Sequence, residues 1–346
     1  MADGLRVVKP KLLIIELWGL GDLAIGTPFL RKACEHYEVT LLAKPFAADL
    51  RGRFWPDIEV IPFNAPWTAF KNKYRLHAWP WRALFSVWKQ MLRKKFDVAL
   101  SARWGDPRDH FLLKLSGAKE RIGFPRMGSS VFLTQPLKQA GPLDHQYENW
   151  RIVARALNLE LEPADEIAFP SRGGKRTILL HTGAAQPVRV WPLERFMHLT
   201  QRLRGQGYVV QVLCNPEQKT WWEKAGEREV VAPTTIAELL AYMDEAAVFL
   251  GNDSGPGHLA AFCGIPTFTF FGPQVPEWFK PLHPAAELIE GKACPYKPCK
   301  DYCRFPVPHC LWNINEDEVW PKLKKFLDRH VPPEPTGATL KQARFI

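Results

Sequence analysis

Gly251-Asn252-Asp253-Ser254-Gly255-Pro256-Gly257-His258 is the stretch on which the fold turns. The apolar run 246–250 leads into it and reads as a short buried strand. Residues 258–263 lead out as a compact helical pattern that stops at Gly264, with Pro266 just beyond. The run 267–271 then reads as another strand, closed by Gly272-Pro273. The polar cluster therefore sits where a buried strand becomes a helix. Asp253 or Ser254 is suited to cap that helix, and Pro256 fits its first turn, where a missing N–H costs nothing. The glycines let another group approach the backbone closely. Free amides at a helix start favour an anion, typically phosphate. The plainer alternative is an ordinary capped helix in an α/β domain.

The chain has 346 residues, enough for two domains. Its composition, 46% hydrophobic and 24% charged, is globular. No apolar run reaches the roughly 18 residues of a transmembrane helix. The first eleven residues lack the apolar core of a signal peptide, and the run 12–15 is too short to supply one. A cytoplasmic protein is expected. The formal net charge of +10 points to anionic partners: nucleic acid, anionic lipid or a phosphorylated substrate. Seven cysteines in a chain this long do not imply a disulfide scaffold. Cys34, Cys214 and Cys263 lie in apolar surroundings and read as core thiols; the other four cluster late in the chain.

From the N-terminus, 12–15 is a buried strand, Trp18-Gly19-Leu20-Gly21-Asp22 a turn, 23–36 a helix and 39–43 the next strand. This is the opening of a Rossmann-like unit. Residues 19–24 fit a loose G-x-G-x-x-A dinucleotide pattern, but Lys44 stands where a ribose-binding acid is expected. The segment 63–95 interleaves Lys and Arg with aromatics and holds no Asp or Glu. From Trp81 onward, apolar residues at 81, 84, 85, 88, 91 and 92 follow helical spacing. Such a helix suits a membrane or other anionic surface; equally, it is how a surface helix packs on a core with its basic face in solvent. Residues 97–100 form a strand followed by Arg103 and Arg108, Arg121-Ile122-Gly123-Phe124 a short strand and turn, and Asp144-His145 opens a helix over 146–157. A linker follows. A second alternation of strands (177–180, 208–213, 229–231) and helices (192–204, 216–225, 235–243) then leads to the opening stretch. Two such halves imply a ligand-holding cleft between them. The division is 1–165 for the first domain, 175–315 for the second, 316–331 for a final helix, and 332–346 for a disordered tail.

Three elements together resemble the glycosyltransferase family nine heptosyltransferases, which build the inner core of bacterial lipopolysaccharide. They are the strand followed by G-x-G-D near the N-terminus, Arg189-Val190-Trp191-Pro192, and Asp253-Ser254-Gly255-Pro256-Gly257-His258. The resemblance extends to Arg121-Ile122-Gly123-Phe124 and to the late Cys-Leu-Trp-Asn-Ile at 310–314. It implies the α/β GT-B fold: two Rossmann-like domains with parallel sheets facing across a cleft. The N-terminal domain would bind a lipid-linked, anionic saccharide acceptor, and the C-terminal domain a nucleotide sugar, usually ADP-heptose. Transfer would invert the anomeric centre and need no metal. The enzyme would sit in the cytoplasm, peripherally on the inner face of the cytoplasmic membrane.

An inverting transfer needs a base for the acceptor hydroxyl and positive potential on the departing diphosphate. Asp22 matches the family's base; its alternative is a helix N-cap, and the two roles are compatible. Arg189 stands where the family more often has lysine, offering the diphosphate a planar fork. Thr182 and Gly183 share its turn and would contact phosphate. Glu217 is placed like the family's ribose-binding acid, or is a solvated helix-start residue. Asp253, Ser254 and Gly255 would hold sugar and phosphates, with His258 adding a donor. Gly21, Arg103, Arg121 and His145 would face the acceptor. Cys294, Cys299, Cys303 and Cys310 could hold a structural zinc or iron, or remain loose thiols; their spacing is not that of a paired zinc ribbon. Two other functions compete. One is an NAD(P)-dependent oxidoreductase built on the first unit. The other, suggested only by charge and aromatics, is a nucleic-acid-binding protein.

Overall fold

The computed structural model describes residues 9–69, 75–103, 105–170, 174–299 and 302–331. The expected disordered tail at 332–346, and Phe70, Lys71, Lys73 and Tyr74 of the basic stretch, lie outside the described residues.

The N-terminal half runs β1 (Lys11–Glu16), α1 (Leu20–Ile25), α2 (Thr27–His36), β2 (Glu38–Ala43), α3 (Ala47–Phe54), β3 (Glu59–Pro62), α4 (Trp81–Lys94), β4 (Val98–Leu100), α5 (Pro107–Leu115), β5 (Glu120–Gly123), β6 (Gln135–Pro136) and α6 (Tyr147–Ala156). Leu12 to Ile15 are wholly buried, as expected of a central parallel strand covered on both faces. The sheet order is β3-β2-β1-β4-β5-β6, every pair parallel. The helix expected over 23–36 is two helices. They break at Gly26, where a Cβ would meet the Trp150 ring at 2.7 Å, and Pro28 opens the second.

The C-terminal half runs β7 (Thr177–His181), α7 (Leu193–Gly205), β8 (Val210–Leu213), α8 (Pro216–Lys224), α9 (Ile236–Asp244), β9 (Ala246–Asn252), α10 (Gly255–Phe262), β10 (Thr267–Phe271), α11 (Pro276–Phe279), β11 (Glu287–Glu290), α12 (His309–Trp312) and α13 (Glu316–His330). Its sheet, also parallel, is ordered β11-β10-β9-β7-β8. The strand expected at 229–231 reduces to a single bridge, Leu213 to Val231. The final helix lays Val319, Leu323 and Phe326 on the core of this half, Phe326 against Phe268 at 5.6 Å.

Each sheet reverses its winding direction once, between β1 and β4 and between β7 and β9. Ligands in open α/β sheets bind outside the carboxyl ends of strands at such points. The two crevices face each other, but the middle of the cleft is packed. Leu23, Ile25 and Phe29 share one apolar cluster with Leu259, Cys263 and Leu282 of the other half. On the surface, Arg53 of α3 forks onto Asp244 of α9 at 2.7 and 3.1 Å.

Helix α4 divides its apolar residues between two faces. Val87 and Met91 are buried, with Leu84 and Trp88 packed beside them. Trp81, Phe85 and Leu92 are 55%, 51% and 41% exposed, so part of the predicted stripe faces solvent.

Candidate active site

The opening stretch builds one wall. Asn252, the last residue of β9, donates to the Thr182 carbonyl (2.9 Å) and accepts from the Trp191 amide (3.0 Å). It thereby ties the loop that carries Arg189 to the strand that carries Asp253. Arg189 Nη1 lies 3.5 Å from Asp253 Oδ2. Burial pushes the Asp253 carboxyl up to about 6, against the pull of Arg189 and Lys297. Ser254 is the N-cap of α10, yet its hydroxyl bonds to none of that helix's amides. Instead, Arg189 Nε, Asp253 Oδ2, Ser254 Oγ, His258 Nδ1 and His181 Nδ1 are all buried without a hydrogen-bond partner within the chain. Buried polar groups are nearly always satisfied, so five such atoms around one helix start mark a place built to receive polar ligand atoms.

The opposing wall comes from the first switch point. Asp22 is not the N-cap of its helix; Gly19 is, and Asp22, three residues in, accepts the Gly19 N–H through Oδ2 at 3.0 Å. Its other oxygen meets Arg103 Nη1 at 2.5 Å. Desolvation pushes Asp22 up, but the charge and hydrogen bond of Arg103 outweigh it and hold the carboxyl below its ordinary range. Glu16, at the end of β1, is 4% exposed; burial first and the Asp22 charge second raise it to about 8. Ionised Asp22 and protonated Glu16 therefore stand together at neutral pH, pushed apart by their surroundings.

The walls meet where α1 and α10 touch. A Cβ at Gly21 would lie 2.8 Å from His258 Cδ2, and one at Gly255 would lie 2.9 Å from Leu20 Cβ. What approaches the Gly255 backbone is thus the first domain, rather than a phosphate. Burial drives His258 to about 3, so the ring is neutral. Beside the contact opens an interdomain cavity of about 510 Å³, lined by Leu20 and Phe46 of one half and His181, Asn215, Thr234 and Pro256 of the other. Its size and mixed lining suit a small organic ligand.

The model of "Glycosyltransferase family 9 (heptosyltransferase)" matches residues 84–306, more than half of the chain. The chain belongs to glycosyltransferase family 9. Lipopolysaccharide heptosyltransferase 1 of Pseudomonas aeruginosa is 25% identical over 281 residues, covering 69% of this chain and 76% of the relative. Lipopolysaccharide heptosyltransferase 3 of Escherichia coli (strain K12) is 29% identical over 104 residues, only 28% of this chain and 30% of that protein. Among solved structures, E. coli heptosyltransferase WaaC with ADP superposes with a TM-score of 0.70 at 16% identity, over 91% of this chain and 99% of that one. The GT-B fold and a glycosyltransferase activity follow from family membership, and neither competing function is favoured. The G-x-G turn needed for a dinucleotide is closed by His258 lying on Gly21.

In this family 9 chain several residues singled out by sequence are engaged elsewhere. Thr182 is fully buried; its hydroxyl accepts from Trp222 (3.2 Å) and bonds Gln218 (3.2 Å), leaving nothing for a phosphate. Gly183 faces Asn215, whose Oδ1 would sit 2.0 Å from a Cβ there. Glu217 lines a second cavity, of about 600 Å³, with Trp191, Phe305 and Pro308, and takes a 3.0 Å hydrogen bond from Asn215. Arg121 lies at the amino end of β5, away from the crevice, with its guanidinium on the Ala118 and Phe132 carbonyls (both 2.8 Å). His145 is an interdomain strut: Nδ1 accepts the Tyr147 amide (3.1 Å) and Nε2 donates to the Lys280 carbonyl (2.9 Å), with burial lowering it to about 4. The thiols of Cys299 and Cys303 donate to the Tyr296 and Val307 carbonyls, and Cys310 is buried. Among the described residues no group of Cys, His, Asp and Glu is arranged to hold a metal.

Sequence reasoning passed over Glu16, Trp18, Phe46, Asn215 and Thr234. Glu16 and Trp18 could have been found: each lies within six residues of Asp22, on a strand end and turn already assigned to the cleft.

Proposed function

We propose that this enzyme transfers a heptose from ADP-heptose to a lipid-linked, anionic saccharide of the lipopolysaccharide-core type, with inversion and without a metal. The carrying observation is the set of five buried polar atoms without a hydrogen bond around the start of α10, facing Asp22 across the contact of the two helices. In this reading the acceptor hydroxyl gives its proton to Asp22 as its oxygen bonds to the anomeric carbon. The carbon–oxygen bond to the diphosphate breaks, and the electron pair leaves with the diphosphate. Arg189 and the positive end of α10 receive that charge. Supporting the nucleotide half is the 510 Å³ cavity beside them, which suits a nucleoside. Relatives named as lipopolysaccharide heptosyltransferases, and a fold neighbour solved with ADP, support the donor and acceptor classes.

No described helix is long and apolar enough to cross a membrane. The acceptor is reached instead from the cytoplasmic face of the membrane through α4. Its exposed Trp81, Phe85 and Leu92 lie on a helix that also carries Arg82, Lys89, Arg93 and Lys94. The cysteine cluster takes no part in the transfer, and metal analysis of the purified protein decides whether it carries zinc or iron.

The deciding experiment is a thermal-shift screen of ADP-, UDP- and GDP-sugars, followed by transfer assays with the best binder. Stabilisation by ADP-sugars and transfer from ADP-heptose are expected. Preferential binding of a UDP-sugar would overturn the heptose assignment. A shift with NAD or NADP, or salt-resistant RNA or DNA binding, would revive the competing functions.

A further inference from the structure

The carboxylate of Asp109 has no part in the reaction just described, yet its environment is among the most specific in the molecule. It sits in the first turn of α5 and is 1% exposed. Both of its oxygens accept indole N–H groups: Oδ2 from Trp18 at 3.2 Å and Oδ1 from Trp67 at 3.1 Å. Trp18 belongs to the turn between β1 and α1, two residues from Leu20 and four from Asp22. It is pinned at a second point, because its backbone N–H donates to Glu16 Oε1 at 3.1 Å. The face of the Trp18 ring lies 4.0 Å from the Arg103 guanidinium, and Arg103 in turn holds Asp22. A chain of direct contacts therefore runs Asp109, Trp18, Arg103, Asp22.

We propose that Asp109 is a positioning residue for the catalytic base: by fixing the Trp18 indole it holds the Arg103 guanidinium against the Asp22 carboxylate. Arg103 is only partly buried. Its long side chain loses rotational freedom in staying on Asp22, and a cation over a fixed indole face offsets that loss. An indole tethered at both its ring nitrogen and its backbone nitrogen is such a face. Buried Asp109 offers two acceptor oxygens to two indole donors, and each donor loses its acceptor if the carboxylate goes. The inference rests on Asp22 being the base.

The readout is the acid limb of the pH dependence of kcat/KM, which reports the essential base of the free enzyme. Several groups act on Asp22 electrostatically. Arg103, from beyond β4, lowers it most; His258 of α10, neutral over the range tested, Glu16 of β1, Lys44 after β2 and Asp253 share its field. Asp109, itself raised to about 6, reaches Arg103 through the Trp18 ring and by charge, and acts on Glu16 more weakly, through its charge and the Trp18 backbone N–H. Loosening Arg103 removes the influence that keeps Asp22 ionised. The acid limb therefore moves to higher pH, and kcat/KM at neutral pH falls about ten- to a hundred-fold, as misplaced catalytic groups do.

Four variants of the full chain make the test, the fourth being Asp109→Glu, which restores the carboxylate. Trp18→Phe keeps an aromatic face but loses the hydrogen bond to Asp109. Asp109→Asn leaves one indole donor without its acceptor. Trp67→Phe breaks the same kind of bond on the other oxygen, where nothing leads to Arg103. Expected are an upward limb shift in Trp18→Phe and Asp109→Asn, partial recovery in Asp109→Glu, and an unmoved limb in Trp67→Phe despite a similar loss of thermal stability. If Asp109→Asn fails to fold, the Trp18→Phe and Trp67→Phe pair still decides. Equal limbs in those two variants, or an unmoved limb in Trp18→Phe, overturns the proposal. A fully active Asp22→Asn would instead overturn the reading of the base beneath it, so the two failures are told apart.

Discussion

Gly21 of the first domain lies directly beneath the His258 ring of the second, with no room between them for a methyl group. The contact brings Asp22 and the helix start facing it into one site without a covalent or ionic link. It also explains a glycine that no turn geometry demands, since Gly21 is not among the positive-φ residues. Gly21→Ala should push the domains apart at the point where they must meet. Overpacking of this kind costs about 1–3 kcal/mol. We expect a lowered urea midpoint and a drop in kcat that exceeds any change in affinity for the free nucleotide.

Asp22→Asn removes the proposed proton acceptor while keeping the shape and the hydrogen bond from Gly19. Sugar transfer should fall by at least about a hundred-fold, the scale of a lost general base. The thermal shift produced by the nucleotide sugar should survive, because Arg189 and the start of α10, proposed to hold the diphosphate, lie on the other domain. Full activity in this variant would remove Asp22 as the base.

Arg189 carries a buried Nε with no hydrogen-bond partner and reaches Asp253 only at 3.5 Å, a guanidinium with bonding capacity to spare. Arg189→Lys should bind the diphosphate less tightly, since an ammonium cannot fork across two oxygens, and Arg189→Ala should bind it least. Isothermal titration with ADP would show the ranking. Equal affinities across the three proteins would place the diphosphate elsewhere.

Acid and alkali should weaken the fold through different groups. His181, His145 and His258 are held neutral by burial, at about 4, 4 and 3 against an ordinary 6.5. The unfolded chain takes up those protons first, so stability falls as pH drops below about 6.5. Glu16 is opposite in sign. Its folded carboxyl keeps a proton up to about 8, against an ordinary 4.5, so its contribution is complete below 4.5 and is lost as pH rises through 8. Glu16→Gln mimics the protonated form. Its urea midpoint should gain on that of the parent chain as pH rises from 6 to 9, and a constant difference would rule out a buried, protonated Glu16.

The solvent-facing residues of α4 offer a simple partition test. Trp81→Ser with Phe85→Ser should leave the fold intact, because Val87 and Met91 carry its packing. Co-sedimentation with vesicles rich in anionic lipid should fall, and turnover of a soluble acceptor should not. Unchanged sedimentation would direct attention to another surface.

Much of this architecture was legible in the chain because the signals were local. Runs such as 12–15 and 246–250, apolar throughout and bounded by glycine turns, can only be central strands of a covered parallel sheet. Asp22, Arg189 and Asp253 each follow such a strand, and the topology brings all three to switch points. Thr182 was misread for the opposite reason. Its turn does follow β7, but whether a hydroxyl points at solvent or at Trp222 is set by α8, which packs from some forty residues away. Asp109 left no trace at all. A single acid in the first turn of a helix is the ordinary mark of a solvated start, and only tertiary packing brings two indoles to it. The same holds for Arg121, a basic residue on a strand whose amino end, rather than its carboxyl end, carries the side chain away from the crevice.

The apolar cluster that spans both halves has a practical consequence. Leu259, Cys263 and Leu282 on one side, and Leu23, Ile25 and Phe29 on the other, form one interior. Each half also has an apolar cluster of its own on the other side of its sheet, but this shared one is completed by neither half alone. Severed at the linker, each fragment would present a greasy scar to water and aggregate or seek its counterpart. Expression of the two halves as separate polypeptides should thus yield material only when they are made together, and reassembly of activity from fragments would report on the seam itself.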